Sequence, residues 1–155
     1  MNLAIVLGMF LWSAVSNIEA KDQKPSLNEV RDLYQKAPVD KRSCFKLLEL
    51  LKPVEVADSR LYGYKGANLM ISAQYVFSPF GKLSRFNEGK QLLESAVSAE
   101  TGDVELRYLR LSIQKNAPAI LGYNQSIEAD RLFLKQALPN ISDPRLRQQI
   151  VEQIY

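Results

Sequence analysis

From Ser26 onward the chain is punctuated by Pro38, Pro53, Phe77-Ser78-Pro79-Phe80-Gly81, Thr101-Gly102-Asp103 and Pro139. These breakers leave pieces of roughly 10 to 20 residues, a usual helix length. Inside each piece the apolar residues recur at three- and four-residue steps, which is the period of one helical face. Leu27, Val30, Leu33 and Tyr34 make the first stripe, and Cys44, Leu47, Leu48 and Leu51 the second. Leu83, Phe86, Leu93, Ala96 and Val97 make a later one, followed by Leu106, Leu109 and Ile113, then Ile127, Leu134, Ala137 and Leu138, then Leu146, Ile150 and Ile154. Only Leu109-Arg110-Leu111-Ser112-Ile113 alternates as a strand would. The helical template explains more of that segment, which lacks glycine and proline and has an acidic first turn. The pattern predicts about seven helices and an all-α fold.

Start and stop signals give the boundaries. Ser26-Leu27-Asn28-Glu29 has the form of a capping box, and Asp40 opens a helix over 41–52. A third helix is expected from Asp58 or Ser59 to about Val76, and a fourth over 82–99. Gly102 suits a left-handed helix end and Asp103 the start of a fifth helix over 104–115. A sixth starts near Ser126, and the seventh near Ser142 or Asp143 with Pro144 in its first turn. Gly63, Gly66, Ala67 and Ala73 weaken the third helix but let a neighbour come close.

Residues 1–20, MNLAIVLGMFLWSAVSNIEA, have the form of an export signal, with an apolar run from Leu3 to Val15 and small residues after it. The run is short for a membrane span, which needs about 20 apolar residues. No basic residue precedes it, so a buried first helix in a cytoplasmic protein is the alternative. The expected organisation is a signal over 1–20, a polar leader over 21–25 and one helical domain over 26–155. The location that follows is periplasmic or secreted, with no stable membrane span once the signal is removed.

Composition narrows the chemistry. Histidine is absent, which removes the commonest general base and metal ligand. Cys44 is the single cysteine, so neither an internal disulfide nor a thiolate metal cluster is available, and its helical setting suits a buried small side chain. Twenty basic and seventeen acidic residues are interleaved without a block of one sign, so no nucleic-acid partner is expected. No phosphate loop, nucleophile elbow or zincin helix occurs. Asn124-Gln125-Ser126 and Asn140-Ile141-Ser142 match a glycosylation pattern and equally a helix-start turn. The expectation is a protein that is not an enzyme and uses neither cofactor nor metal.

Residues 86–113 resemble the tetratricopeptide repeat family. Gly89, Leu93 and Ala96 stand where its second helix carries small, large and small residues, Thr101-Gly102-Asp103 stands at its turn, and Leu106, Leu109 and Ile113 begin the next hairpin. Ala129, Phe133 and Ala137 resemble a looser copy, so the match extends over about 86–138. The Phe77–Gly81 interruption and the connector over 116–125 depart from the family's spacing of some 34 residues. The resemblance implies stacked antiparallel hairpins with a groove that binds a protein or peptide.

With Leu106, Leu109 and Ile113 inward, Arg107, Gln114 and Lys115 are expected to point elsewhere, with Arg110 between. Arg107 and Arg110 could receive a peptide carboxylate, or they form a solvated face paired with Glu105 or Glu128. In the apolar connector, Tyr123 and Asn124 could border the groove, or Ile120, Leu121 and Tyr123 fold over the hairpin ends as a lid. The candidate partner-binding residues are therefore Arg107, Arg110, Gln114, Lys115, Tyr123 and Asn124. The alternative function is a carrier of a small apolar ligand held by Tyr62, Tyr64, Phe77, Phe80 and Tyr123. A third is a hydrolase using paired carboxylates from Glu88, Glu94, Glu105, Glu128 and Asp130.

Overall fold

A computed structural model describes residues 24–155; the export signal expected over 1–20 lies outside them. Among the described residues the chain is all-α, with seven helices and no strand. They are α1 (Leu27–Lys36), α2 (Lys41–Leu51), α3 (Ser59–Ser72), α4 (Pro79–Ala99), α5 (Val104–Asn116), α6 (Ile127–Ala137) and α7 (Pro144–Ile154). Short 3-10 turns follow α3, α5 and α6.

Aspartates start four of the helices. Asp40 accepts from the Arg42 and Ser43 amides, Asp58 from Leu61, Asp103 from Leu106, and Asp143 from Arg145 and Leu146. Each meets amides that have no partner within the helix. Ser26 occupies the N-cap of α1, but the capping box does not close. Its side chain makes no cap bond, and Glu29 instead accepts from Lys46 on α2 at 3.0 Å.

Two other boundaries differ from expectation. The third helix ends at Ser72 and gives way to a 3-10 turn over Ala73–Tyr75, before the extended Val76. The fourth starts earlier than the sequence suggests: Ser78 caps it through the Gly81 amide, and Pro79 needs no amide partner at the first position. Leu83, expected inward, is exposed, while Phe86 one turn later is buried. Gly102 does not take a left-handed conformation. Among the described residues only Gly122 has positive φ, at 59°, where it ends the 3-10 turn after α5.

The core gathers Val30 and Tyr34, Leu47 and Leu51, Leu61, Tyr64 and Met70, Phe86 and Leu93, Leu106, Leu109 and Leu111, Leu134, and Ile150. α3 and α4 approach most closely, at Gly66 and Gly89. A Cβ on Gly66 would sit 2.6 Å from the Gly89 carbonyl oxygen, and one on Gly89 would sit 2.5 Å from the Gly66 oxygen. The small residues of α3 are thus the surface on which α4 lies. Asn68 joins α3 to α2 by donating to the Cys44 carbonyl at 2.9 Å.

α5 occupies the centre and touches α3, α4, α6 and α7. Its buried residues include Glu105, Tyr108, Arg110, Leu111 and Gln114 as well as the expected stripe. A helix enclosed on all sides has no polar face. That explains why Leu109–Ile113 imitated a strand. The apolar side chains there point to different neighbours.

The looser copy of the repeat pattern does not form a buried face. Ala129 is exposed and Phe133 and Ala137 are half-buried, while Asp130 and Leu134 are the buried residues of α6. Among the described residues the Asp130 side chain pairs with Arg107 and Arg110 of α5.

Candidate functional site

Two ionic clusters flank α5. In the first, Glu105 is 2% exposed and accepts from Arg31 of α1 through both oxygens, each at 2.7 Å. The Tyr64 hydroxyl of α3 donates to the same carboxylate at 2.5 Å. A third nitrogen of Arg31 reaches Asp143, the N-cap of α7, at 2.8 Å, and Arg60 lies 3.5 Å from Glu105. The hydrogen bonds that Arg31 donates to Glu105 raise the Arg31 pKa above its ordinary value despite desolvation. Burial, and then the neighbouring Glu105 charge, pushes the Tyr64 phenol well up, so Tyr64 stays a proton donor.

In the second cluster Asp130 of α6 is fully buried. Arg110 donates to its two oxygens at 2.7 and 2.8 Å, and Arg107 donates at 2.7 Å. Arg110 also donates to Glu94 of α4 at 2.9 Å, and the Tyr123 hydroxyl donates to Glu94 at 2.5 Å. Desolvation opposes the charge on Arg110, but its bonds to Asp130 and Glu94 outweigh burial and hold its pKa above the ordinary value. The Arg107 guanidinium lies over the Phe133 ring, 5.0 Å from its centroid.

The six residues singled out from sequence are therefore distributed as follows. Arg107, Arg110 and Tyr123 meet in the second cluster, turned toward carboxylates of their own chain. Gln114, expected to point outward, is 3% exposed and accepts from the Ser126 amide at 3.2 Å, which secures the start of α6. Lys115 donates to the Gln153 carbonyl at 2.6 Å and ties α5 to α7. Asn124 is exposed. The partners of the arginines are Glu94 and Asp130 rather than Glu105 or Glu128.

The opening in the surface lies elsewhere. A half-open cleft of about 730 Å³ sits where the ends of α1, α3 and α5 meet the start of α4 and the connector after α5. Tyr34, Met70, Leu83, Phe86, Tyr108 and Ile113 give it an apolar floor. Gln35, Gln74, Asn116 and Gln153 set amides around it, and Lys82 is its one charged lining residue. Pro118, Ile120 and Leu121 form one wall, so the 116–125 connector borders an opening. The connector is divided in role: Tyr123 is buried against Phe86 with ring centroids 5.9 Å apart, whereas Ile120 is exposed.

None of Tyr62, Tyr64, Phe77, Phe80 and Tyr123, named from sequence for an apolar ligand, lines this cleft. Tyr64 and Tyr123 are buried in the ionic clusters, and Phe77 and Phe80 face solvent. No carboxylate lines it either, and among the described residues no group of three or more acidic or cysteine side chains is placed to hold a metal. The sequence signal for the cleft was weak because its floor uses the same helical stripe that builds the core. No protein-family model, curated protein or solved structure matches the chain.

Proposed function

We propose that the protein is an exported, non-enzymatic helical-repeat module whose cleft binds an apolar segment of a partner polypeptide. The observation that carries this reading is the half-open cleft of about 730 Å³, with an apolar floor and an amide rim. An apolar floor receives side chains, and neutral amides can both donate to and accept from a peptide backbone. The open mouth lets a chain enter and leave, which a closed ligand cavity would not. The contact of α3 with both α4 and α5 supports a tetratricopeptide-like stacking of hairpins. The apolar run from Leu3 to Val15 supports export.

The binding surface in this reading is the cleft, not the arginines of α5. Their donors are held by Asp130 and Glu94, and a peptide carboxylate would have to displace a buried partner. The same commitment weighs against a carboxylate-dependent hydrolase, since Glu94, Glu105 and Asp130 are each paired with arginine.

Selection from a random peptide library tests the reading. Enriched peptides should carry two or more large apolar residues, and Ser112→Trp, which fills the cleft from α5, should abolish their capture. Enrichment of acidic peptides that Ser112→Trp still captures would overturn it. A carrier of a small apolar ligand is the second reading, favoured by the volume of the cleft. Saturable fatty-acid binding, lost in Ser112→Trp and without peptide enrichment, would establish that reading instead.

A further inference from the structure

We propose that the end of the bundle around the cleft mouth is a docking surface for an anionic lipid bilayer. The surface is defined by three turns. The α1–α2 turn is tied to the turn after α3, because Tyr75 donates to the Ala37 carbonyl at 2.8 Å and Gln74 to the Pro38 carbonyl at 3.1 Å. The third is the connector after α5. Pro38, Gln74, Pro118 and Ile120 from these turns, with Pro79 and Leu83 from the start of α4, all border the cleft.

Large apolar side chains project from each turn. Val39 is 89% exposed, Phe77 is 101%, Phe80 is 82% and Ile120 is 93%. Such residues scattered singly mean little, but Ile120 lines the cleft and Val39, Phe77 and Phe80 stand within two residues of its lining residues Pro38 and Pro79, so the four flank one opening and mark an interaction surface. Val39, Phe77 and Ile120 lie in turns and Phe80 in the first turn of α4, and side chains so fully exposed there suit insertion into a fluid phase. A rigid partner would need a matching hole for each.

Charge selects the phase. Within four residues of these tips the chain carries Lys36, Lys41, Arg42 and Lys82, all exposed, against Asp40 alone. Asp40 is already engaged by the Arg42 and Ser43 amides at the start of α2. Exposed hydrophobic tips with cations close by in the chain match an anionic bilayer, where each lysine or arginine near the surface strengthens binding roughly fivefold. A second copy fits less well, because a two-fold interface would set these cations against themselves. No described helix is long and apolar enough to cross the membrane, so the contact is interfacial. The surface does not depend on what the cleft holds.

Co-sedimentation of the full chain with vesicles of phosphatidylcholine alone, or mixed with phosphatidylglycerol, tests the proposal. Binding should be several-fold stronger to the anionic vesicles and should weaken as salt rises. The pair Phe77→Ser and Phe80→Ser should reduce it on the order of tenfold, with an unchanged thermal midpoint since both rings are exposed. Lys41→Glu should reduce it several-fold on anionic vesicles only, while suiting the first turn of α2. Leu132→Ser, at an exposed site on α6, should leave it unaltered. Equal binding by the rim variants would assign membrane affinity to the apolar amino-terminal segment and overturn the proposal. Loss of self-association in the rim variants, without vesicle binding by the parent chain, would overturn it in favour of a second copy.

Discussion

Arg31 and Glu105 face each other through two parallel hydrogen bonds of 2.7 Å, and the Tyr64 hydroxyl closes on the same carboxylate. Residues 74 positions apart thereby fix α1 and α3 to the central α5. Removing one partner from a buried pair leaves an uncompensated charge and costs about 3–5 kcal/mol. Arg31→Met should therefore destabilise the fold by about 3 kcal/mol, the low end, because Tyr64 and Arg60 remain near Glu105. Tyr64→Phe removes one hydrogen bond to a charged group and should cost about 2 kcal/mol. Urea unfolding of the two variants should give that order, and a loss below that of Tyr64→Phe for Arg31→Met would show that Glu105 finds other partners.

Arg110 is held by Asp130 and Glu94. Arg110→Glu would place like charges together around a fully buried carboxylate and should leave little folded protein. Asp130→Ala should cost about 4 kcal/mol by stranding two guanidinium groups. Circular dichroism melts should show both losses. A folded Arg110→Glu variant that has merely lost partner capture would restore these arginines as a binding surface.

The helices were legible because turns and helical stripes are local properties of the chain. Asp40, Asp58, Asp103 and Asp143 announced helix starts that the structure uses. What was not legible depends on neighbours. Arg107, Arg110 and Gln114 look like an exposed polar face when α5 is read with one partner, yet α5 has helices on every side. The buried pairing of Glu105 and Asp130 was not legible because their arginines are distant in sequence or on another helix. The cleft was hidden for a similar reason. It arises where helix ends fail to meet, and no single stripe records a gap.

The α3–α4 crossing depends on two glycines. A Cβ on Gly66 would also stand 2.6 Å from the Leu93 amide nitrogen, so backbone rather than a flexible side chain must yield. Overpacking of this kind costs about 1–3 kcal/mol, and Gly66→Ala belongs near the top of that range. Gly102 meets nothing within 4 Å and lacks positive φ. Gly102→Ala should thus be neutral or stabilise by about 0.4–1 kcal/mol through the unfolded chain. The thermal midpoint should fall for Gly66→Ala and hold or rise for Gly102→Ala; an unchanged midpoint for Gly66→Ala would refute the crossing geometry.

Cys44 is fully buried, and burial pushes its thiol up to about 11. The thiolate is the reactive form. Modification by a chromogenic disulfide at neutral pH should therefore be slow in the folded protein and complete in seconds after denaturation. Labelling should accelerate with denaturant in step with unfolding. Rapid labelling in buffer would show local opening of α2.

Asp143 joins the start of α7 to Arg31. Bonds from the Leu146 amide, then from Arg145, lower its pKa despite desolvation, with the positive charge of Arg31 adding to the shift. A carboxylate whose folded pKa lies below its unfolded value of about 3.9 stabilises the fold above that pH. The contribution is lost as pH falls through the depressed folded pKa. Asp143→Asn keeps an oxygen for the helix amides but removes the titration. Melting midpoints measured from pH 6 down to pH 2 should fall less steeply for Asp143→Asn than for the parent chain. Parallel curves would mean that acid unfolding begins elsewhere.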